Sequence, residues 1–248
     1  MQGSTRDAIH YFFDGAKLIT TPGFRRFILI PLLINLLIFG VATTLLIYAF
    51  NDFFTQILQW TPDWLDWLTW LLWPLIAFIF LVIYGYSFNI ITNFIAAPFF
   101  GLLAEKVEAH VTGKALPEEP WGQLIPRTLK REVIKLGYFL SRGILVLIVF
   151  IALFFIPGLN FLGMLIATLW SCWCMAIQYT DYAADNHQLD FHALRHRLRQ
   201  QRLTSFSFGG LILLGSMVPL LNIFVPPIAV AGAALYWTRK LNNQNNAG

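Results

Sequence analysis

Residues 143–180 read GILVLIVFIALFFIPGLNFLGMLIATLWSCWCMAIQYT, a run without a single Lys, Arg, Asp or Glu. Its middle carries Ile156-Pro157-Gly158-Leu159-Asn160. Pro beside Gly and Asn signals a turn, so the run divides into arms 143–156 and 161–180. The first arm, 14 residues, would be about 21 Å long as a helix. The hydrocarbon core is about 30 Å thick, so that arm does not cross alone. Arg142 precedes the run, and Arg195, Arg197 and Arg199 follow it. A re-entrant hairpin, entering and leaving on one side, fits both facts. Its turn must be covered by protein or line water, because lipid leaves backbone groups unsatisfied. Residues 203–238 repeat the pattern more loosely, with Val218-Pro219-Leu220-Leu221-Asn222 between arms 203–217 and 223–238 and with Arg202, Arg239 and Lys240 as flanks.

Two further stretches, 27–50 and 67–104, are also uncharged. The first is long enough for one crossing, and a helix over 22–50 is expected. The second, 38 residues, would be about 57 Å as one helix, far more than one span. One long helix over 64–96 is expected, ending at a break at Ala97–Pro98. Trp60, Trp64, Trp67, Trp70 and Trp73 crowd its start, as in an interfacial aromatic belt. Between these stretches, 51–66 carries Asp52, Asp63 and Asp66 but no basic residue. Basic loops stay cytoplasmic, so 51–66 is the expected translocated loop and both termini are expected inside.

The fold class is therefore an all-α integral membrane protein. It has two long transmembrane helices and two partly penetrating helical hairpins in one membrane domain over 1–248. Composition agrees: of 248 residues 57% are hydrophobic and 12% charged, about half the charge of a soluble domain. Mean hydropathy is +0.63. The net charge of +4 belongs to inside loops, so no nucleic-acid partner is expected and anionic membrane lipids are the natural one. Cys172 and Cys174 sit in an apolar run, against a disulfide framework or a metal site. The N-terminus lacks the short apolar run and small residues of a cleavable signal, so the first stretch is expected to remain a membrane element. Residues 5–20 place Ile9, Phe12, Phe13, Ala16 and Ile19 at helical spacing, the face of an interfacial helix. Segments 98–142 and 181–202 read as cytoplasmic and mostly helical.

The sharpest chemical signal is Thr20-Thr21-Pro22-Gly23-Phe24-Arg25-Arg26-Phe27. Thr21 suits an N-cap and Pro22 a first helical position, so a helix start is expected there. Free amides at a helix start favour an anion, and two adjacent arginines add forked donors suited to an oxyanion. A positive-inside anchor that snorkels to headgroups explains the same residues. Candidate pathway residues are the polar side chains in or beside the apolar runs: Asn35, Asn89, Asn93, Glu105, Asn160, Gln178, Asp181 and Asn222. Such groups line pathways or hydrogen-bond between helices. Asp181, Asp185 and His187 cluster outside the first hairpin, as ion-pair partners or as ligands of a lipid-directed enzyme. His192 and His196 share a helix face, but Arg195 and Arg197 oppose a metal there. With no phosphate loop, nucleophile elbow or zinc-protease motif, neither an enzyme nor a cofactor is expected.

Four motifs in order give the chain a family likeness: Gly23-Phe24-Arg25-Arg26-Phe27, Pro98-Phe99-Phe100-Gly101-Leu102-Leu103-Ala104-Glu105, Ile177-Gln178-Tyr179-Thr180-Asp181-Tyr182 with Asp185-Asn186-His187, and Pro219-Leu220-Leu221-Asn222. The chain resembles the CysZ family of bacterial sulfate permeases over about residues 9–238. That resemblance implies sulfate transport across the bacterial inner membrane for cysteine biosynthesis. It also implies two crossing helices with two hairpins, and assembly into homo-oligomers. By position it implies sulfate binding by Pro22, Gly23, Phe24, Arg25 and Arg26, which favours the anion site over the anchor. A membrane-structuring protein, or an accessory subunit without transport of its own, is the alternative.

Overall fold

The computed structural model describes residues 3–60, 66–117, 119–218 and 221–242. Among them the chain forms eight α-helices: α1 (Thr5–Thr20), α2 (Arg26–Trp60), α3 (Asp66–Thr112), α4 (Trp121–Phe154), α5 (Asn160–Asn186), α6 (Phe191–Gln200), α7 (Arg202–Ser216) and α8 (Val225–Tyr236). A 3-10 turn at Leu221–Ile223 precedes α8, and a π-helical turn at Trp237–Leu241 follows it. Contacts divide the chain into one unit of residues 29–96 and another of residues 1–28 with 97–248.

The unit of 29–96 is an antiparallel helix pair made by most of α2 and the first part of α3. Aromatic rings fill its seam. Phe39 meets Tyr84 and Phe88, while Phe50 meets Trp73 and Phe80 edge-on at 5.9 and 5.6 Å. Thr43 and Tyr84 share a hydrogen bond of 2.8 Å across it. Its outer surface is apolar, with Leu33, Leu36, Leu37, Leu45 and Tyr48 each well over half exposed. That surface suits lipid or another subunit.

Helix ends differ from the sequence expectation, because a change of charge does not end a helix. The first transmembrane helix runs ten residues past the uncharged stretch, to Trp60, and makes most of the expected translocated loop helical. The second passes through Ala97–Pro98 without a break and ends at Thr112. A helical Pro deletes one backbone hydrogen bond, and tertiary neighbours make that tolerable. Pro98 is itself buried. The arm beginning at Gly143 has no boundary at 142; it is the continuation of α4, 34 residues long. Among the described residues, α4 and α5 join α2 and α3 as the four helices long and apolar enough to cross a membrane. α7 and α8, of 15 and 12 residues, would be about 22 and 18 Å long and fall short of a span.

The other unit is assembled by close helix approach. Its first hairpin turn lies where the sequence puts it: α4 stops at Phe154, Gly158 takes φ +82°, and α5 restarts at Asn160. In the second, Pro219 and Leu220 lie outside the described residues. α1 packs on α8 and α7 through Ala8, Tyr11, Gly15 and Ile19. A Cβ on Gly15 would sit 2.5 Å from the Gly232 amide, and one on Gly232 2.6 Å from the Tyr11 carbonyl, so both glycines are needed for the contact. Of the apolar face expected for residues 5–20, only Ile19 is buried; Ile9 and Phe13 stay exposed. Ala8 and Gly15 let the backbones approach, with Tyr11 and Ile19 packed beside them, which leaves Ile9 and Phe13 on the outward side. Asp7 with Lys240, at 2.7 Å, and Asp14 with Arg239, at 3.2 Å, close the ends of this contact.

Candidate functional site

The segment between α1 and α2 is a turn, not the start of α2. Pro22 and Gly23 occupy its corner, Gly23 has φ +100°, and the Phe24 amide donates to the Thr21 carbonyl at 3.4 Å. Pro then Gly with positive φ is the type II arrangement. It corrects the expected N-cap at Thr21 and first helical residue at Pro22. Thr21 instead ends α1, its hydroxyl donating to the Leu18 carbonyl at 2.6 Å. α2 begins at Arg26.

This turn presents its polar groups outward. Phe24 is buried and meets the His110 ring edge-on at 5.8 Å, anchoring the loop. Pro22, Gly23 and Arg25 are exposed. No atom lies within 4 Å of where a Gly23 Cβ would be, so the space above the corner is open. Arg25 donates Nε and one terminal nitrogen to the Thr20 carbonyl at 3.3 and 3.2 Å. It thereby caps the electronegative end of α1. Two of five guanidinium donors are used, and the rest remain for a second acceptor. The side chain of Arg26 lies outside the described residues.

Beside the turn lies an open cleft of about 450 Å3 lined by Asp14, Lys17, Leu18, His110, Val111, Leu235 and Arg239. Lys17 and Arg239 give it a positive wall, with Arg239 engaged by Asp14. The sequence reading missed Lys17, His110 and Arg239. Lys17 had a local signal, since it lies one turn before Thr21; the other two are far along the chain.

The candidate pathway residues are dispersed. The side chains of Asn35 and Asn89 lie outside the described residues. Asn93 is half-buried on α3. Asn160 and Asn222 are exposed at the hairpin turns, with the Asn160 side-chain oxygen accepting from the Phe161 amide. Glu105 lines a cleft of about 440 Å3 with Glu119, Trp121, Arg127 and Asn186. Gln178 donates to the Tyr182 hydroxyl at 2.9 Å.

Asp181 is 1% exposed and belongs to an ion ladder. Arg127, Arg131 and Lys135 recur every four residues on α4, and Asp181 and Asp185 do so on α5. Arg131 pairs with Asp181 at 2.7 Å, and Arg127 pairs with Asp185 and Glu119. Lys135 pairs with Glu132 at 2.5 Å and Asp181 at 3.4 Å, and stands 4.3 Å over the Tyr182 ring. Nearby, His187 bonds Glu108 at 2.8 Å, and Asn186 donates to the Gly101 carbonyl at 2.8 Å. Asp181 and Asp185 are thus ion-pair partners at the end of α5, and His187 is a hydrogen-bond partner of Glu108. Among the described residues no three His, Cys, Asp or Glu side chains converge as a metal site requires.

A family model described as Sulfate transporter CysZ/Etoposide-induced protein 2.4 matches residues 11–227. A relative from Pectobacterium atrosepticum named Sulfate transporter CysZ is 43% identical over 246 residues, covering 96% of this chain and 87% of that protein. The family match takes in the Pro-Gly turn, the ion ladder and the first hairpin. The chain belongs to the CysZ/etoposide-induced protein 2.4 family.

Proposed function

We propose that this chain transports sulfate across the bacterial inner membrane, and that the turn 22–26 is its sulfate-binding site. It acts as a transporter and not as an enzyme. The observation that carries the reading is the exposed Arg25 guanidinium, held by its own helix cap over an open Pro-Gly corner, in a chain 43% identical to a named sulfate transporter. Sulfate is a dianion, and hydrocarbon excludes it. A membrane-edge site must replace part of its hydration. The remaining Arg25 donors, the Arg26 charge and the first amides of α2 supply positive field and directed hydrogen bonds. Lys17 in the adjacent cleft raises the local anion concentration.

The site faces solvent, so its binding is weak enough to release the ion, as conduction requires. Onward movement suits neutral amides; Asn160 and Asn222 at the hairpin turns are placed at the exposed surface. Asp181, tied by two cations, serves the scaffold rather than the path. One chain of this size encloses little, so several copies line the route in a homo-oligomer. The exposed Ile9 and Phe13 of α1 support an interfacial position for that helix. The cationic loops support cytoplasmic termini.

Radiolabelled sulfate binding to purified protein tests the site. Arg25→Ala with Arg26→Ala should remove saturable binding, and Arg25→Lys should restore part of it. Undiminished binding in the double Ala variant, with its elution profile unchanged, refutes the assignment.

A further inference from the structure

A groove among α4, α5, α6 and α7 has the form of a lipid site. It is formed by Tyr138 and Val146 of α4, Ile166, Leu169, Trp170 and Trp173 of α5, Arg199 at the end of α6, and Arg202 and Phe206 of α7, and encloses about 450 Å3. Its floor is fixed. Trp173 donates its indole N–H to the Tyr138 hydroxyl at 3.2 Å and lies against Phe206 at 5.5 Å between ring centres. Tyr138 also meets Trp170 at 5.8 Å. The apolar lining includes Leu169, 45% exposed.

The cationic side of the groove is of different chemistry. Arg199 and Arg202 are both exposed, and among the described residues neither has a carboxylate within ion-pair distance. Arg202 turns its Nε to the Arg199 carbonyl at 3.2 Å, which fixes the two residues side by side. A third guanidinium, Arg195, stacks 4.5 Å over the same Tyr138 ring. An apolar slot lined by tryptophan and beside two arginines that have no carboxylate partner among the described residues matches one amphiphile: an acyl chain joined to a phosphate. We propose that this groove binds one anionic phospholipid, its phosphodiester on Arg199 and Arg202 and an acyl chain along Ile166, Leu169 and Trp170.

The position in the chain agrees. Ile166 to Trp173 belong to the uncharged run, while Arg199 and Arg202 belong to the basic segment that follows. The groove therefore crosses from apolar to charged sequence, as a headgroup boundary does. The bound lipid would bridge α4, α5 and α7, of which α7 approaches α5 closely where the Gly209 position abuts the Cys172 carbonyl.

The test is native mass spectrometry of the full chain in uncharged detergent, titrated with phosphatidylglycerol or phosphatidylcholine. The wild type should retain one phosphatidylglycerol per chain and discriminate against phosphatidylcholine. Arg199→Gln with Arg202→Gln should weaken phosphatidylglycerol retention about thirtyfold, the factor for two phosphate-facing basic side chains. Val146→Trp, which fills the slot and keeps both arginines, should weaken it as well. Equal retention of the two lipids, or unchanged retention in the arginine variant, overturns the proposal. So does unchanged retention in Val146→Trp, which would mean that the groove holds no acyl chain. Displacement of the lipid by millimolar sodium sulfate would also overturn it, by making the arginines a site for free oxyanions.

Discussion

Replacing Lys135 by Met should be among the most damaging single changes in this chain. The side chain is 1% exposed and its ammonium lies 2.5 Å from Glu132, 3.4 Å from Asp181 and 4.3 Å above the Tyr182 ring. Met keeps the length and apolar volume of the stem, so the variant removes charge with little cavity. Asp181 keeps Arg131. Glu132, 5% exposed, loses its one described ion-pair partner. Breaking a buried pair from one side costs about 3–5 kcal/mol, because a desolvated charge is left uncompensated. At about 2–4 °C per kcal/mol for a chain of this size, the midpoint should fall by about 10 °C. Thermal unfolding in detergent, read as loss of the monodisperse elution peak, measures it. Lys135→Met with Glu132→Gln removes both charges and should recover most of the loss, leaving about 1 kcal/mol. A single variant within about 1 kcal/mol of wild type, or a double variant as damaged as the single, refutes the ladder as a coupled buried network.

Three further outcomes follow from the geometry. Gly15→Val should separate α1 from α8, since its Cβ would meet the Gly232 amide at 2.5 Å; a loss of about 3 kcal/mol or more by the same thermal assay is expected from backbone overpacking. Gly23→Val has open space around it but demands φ +100° of a β-branched residue, so it should cost about 1–2 kcal/mol of local strain and weaken sulfate binding while leaving the ladder's stability intact. Asp190 caps α6 by accepting from the His192 and Ala193 amides, and those bonds hold its carboxyl below the usual range. A folded-state value below the unfolded one stabilises at neutral pH and ceases to do so as pH falls through the folded value. Asp190→Ala should therefore cost about 1 kcal/mol at pH 7 and progressively less below pH about 4, as a pH series of thermal midpoints would read.

The sequence revealed what charge governs and concealed what distance governs. Uncharged runs announced the membrane helices, and Pro157-Gly158 announced its turn, because only glycine readily takes φ +82°. Helix ends were hidden. Arg142 marks a change of environment, while α4 simply continues across it. Thr21-Pro22 reads equally as a helix start and as the first half of a type II turn, and Gly23 decides for the turn. The proposed anion turn at Arg25 could be singled out because its motif is contiguous. The ion ladder could not, since Arg131 and Asp181 meet across 50 residues. Its signature was nonetheless present, as cations at 127, 131 and 135 and carboxylates at 181 and 185, each set on one helix face.

We propose that sulfate follows an autonomous pathway entered through the arginine-bearing turn. Radiolabelled sulfate uptake into proteoliposomes containing only this chain, beside the Arg25→Ala, Arg26→Ala variant, tests it most directly. Saturable uptake by the wild type and background uptake by the variant are expected, with both proteins eluting alike. Wild-type uptake no faster than empty liposomes, with or without an imposed pH gradient, contradicts it and leaves an accessory or membrane-structuring role in its place.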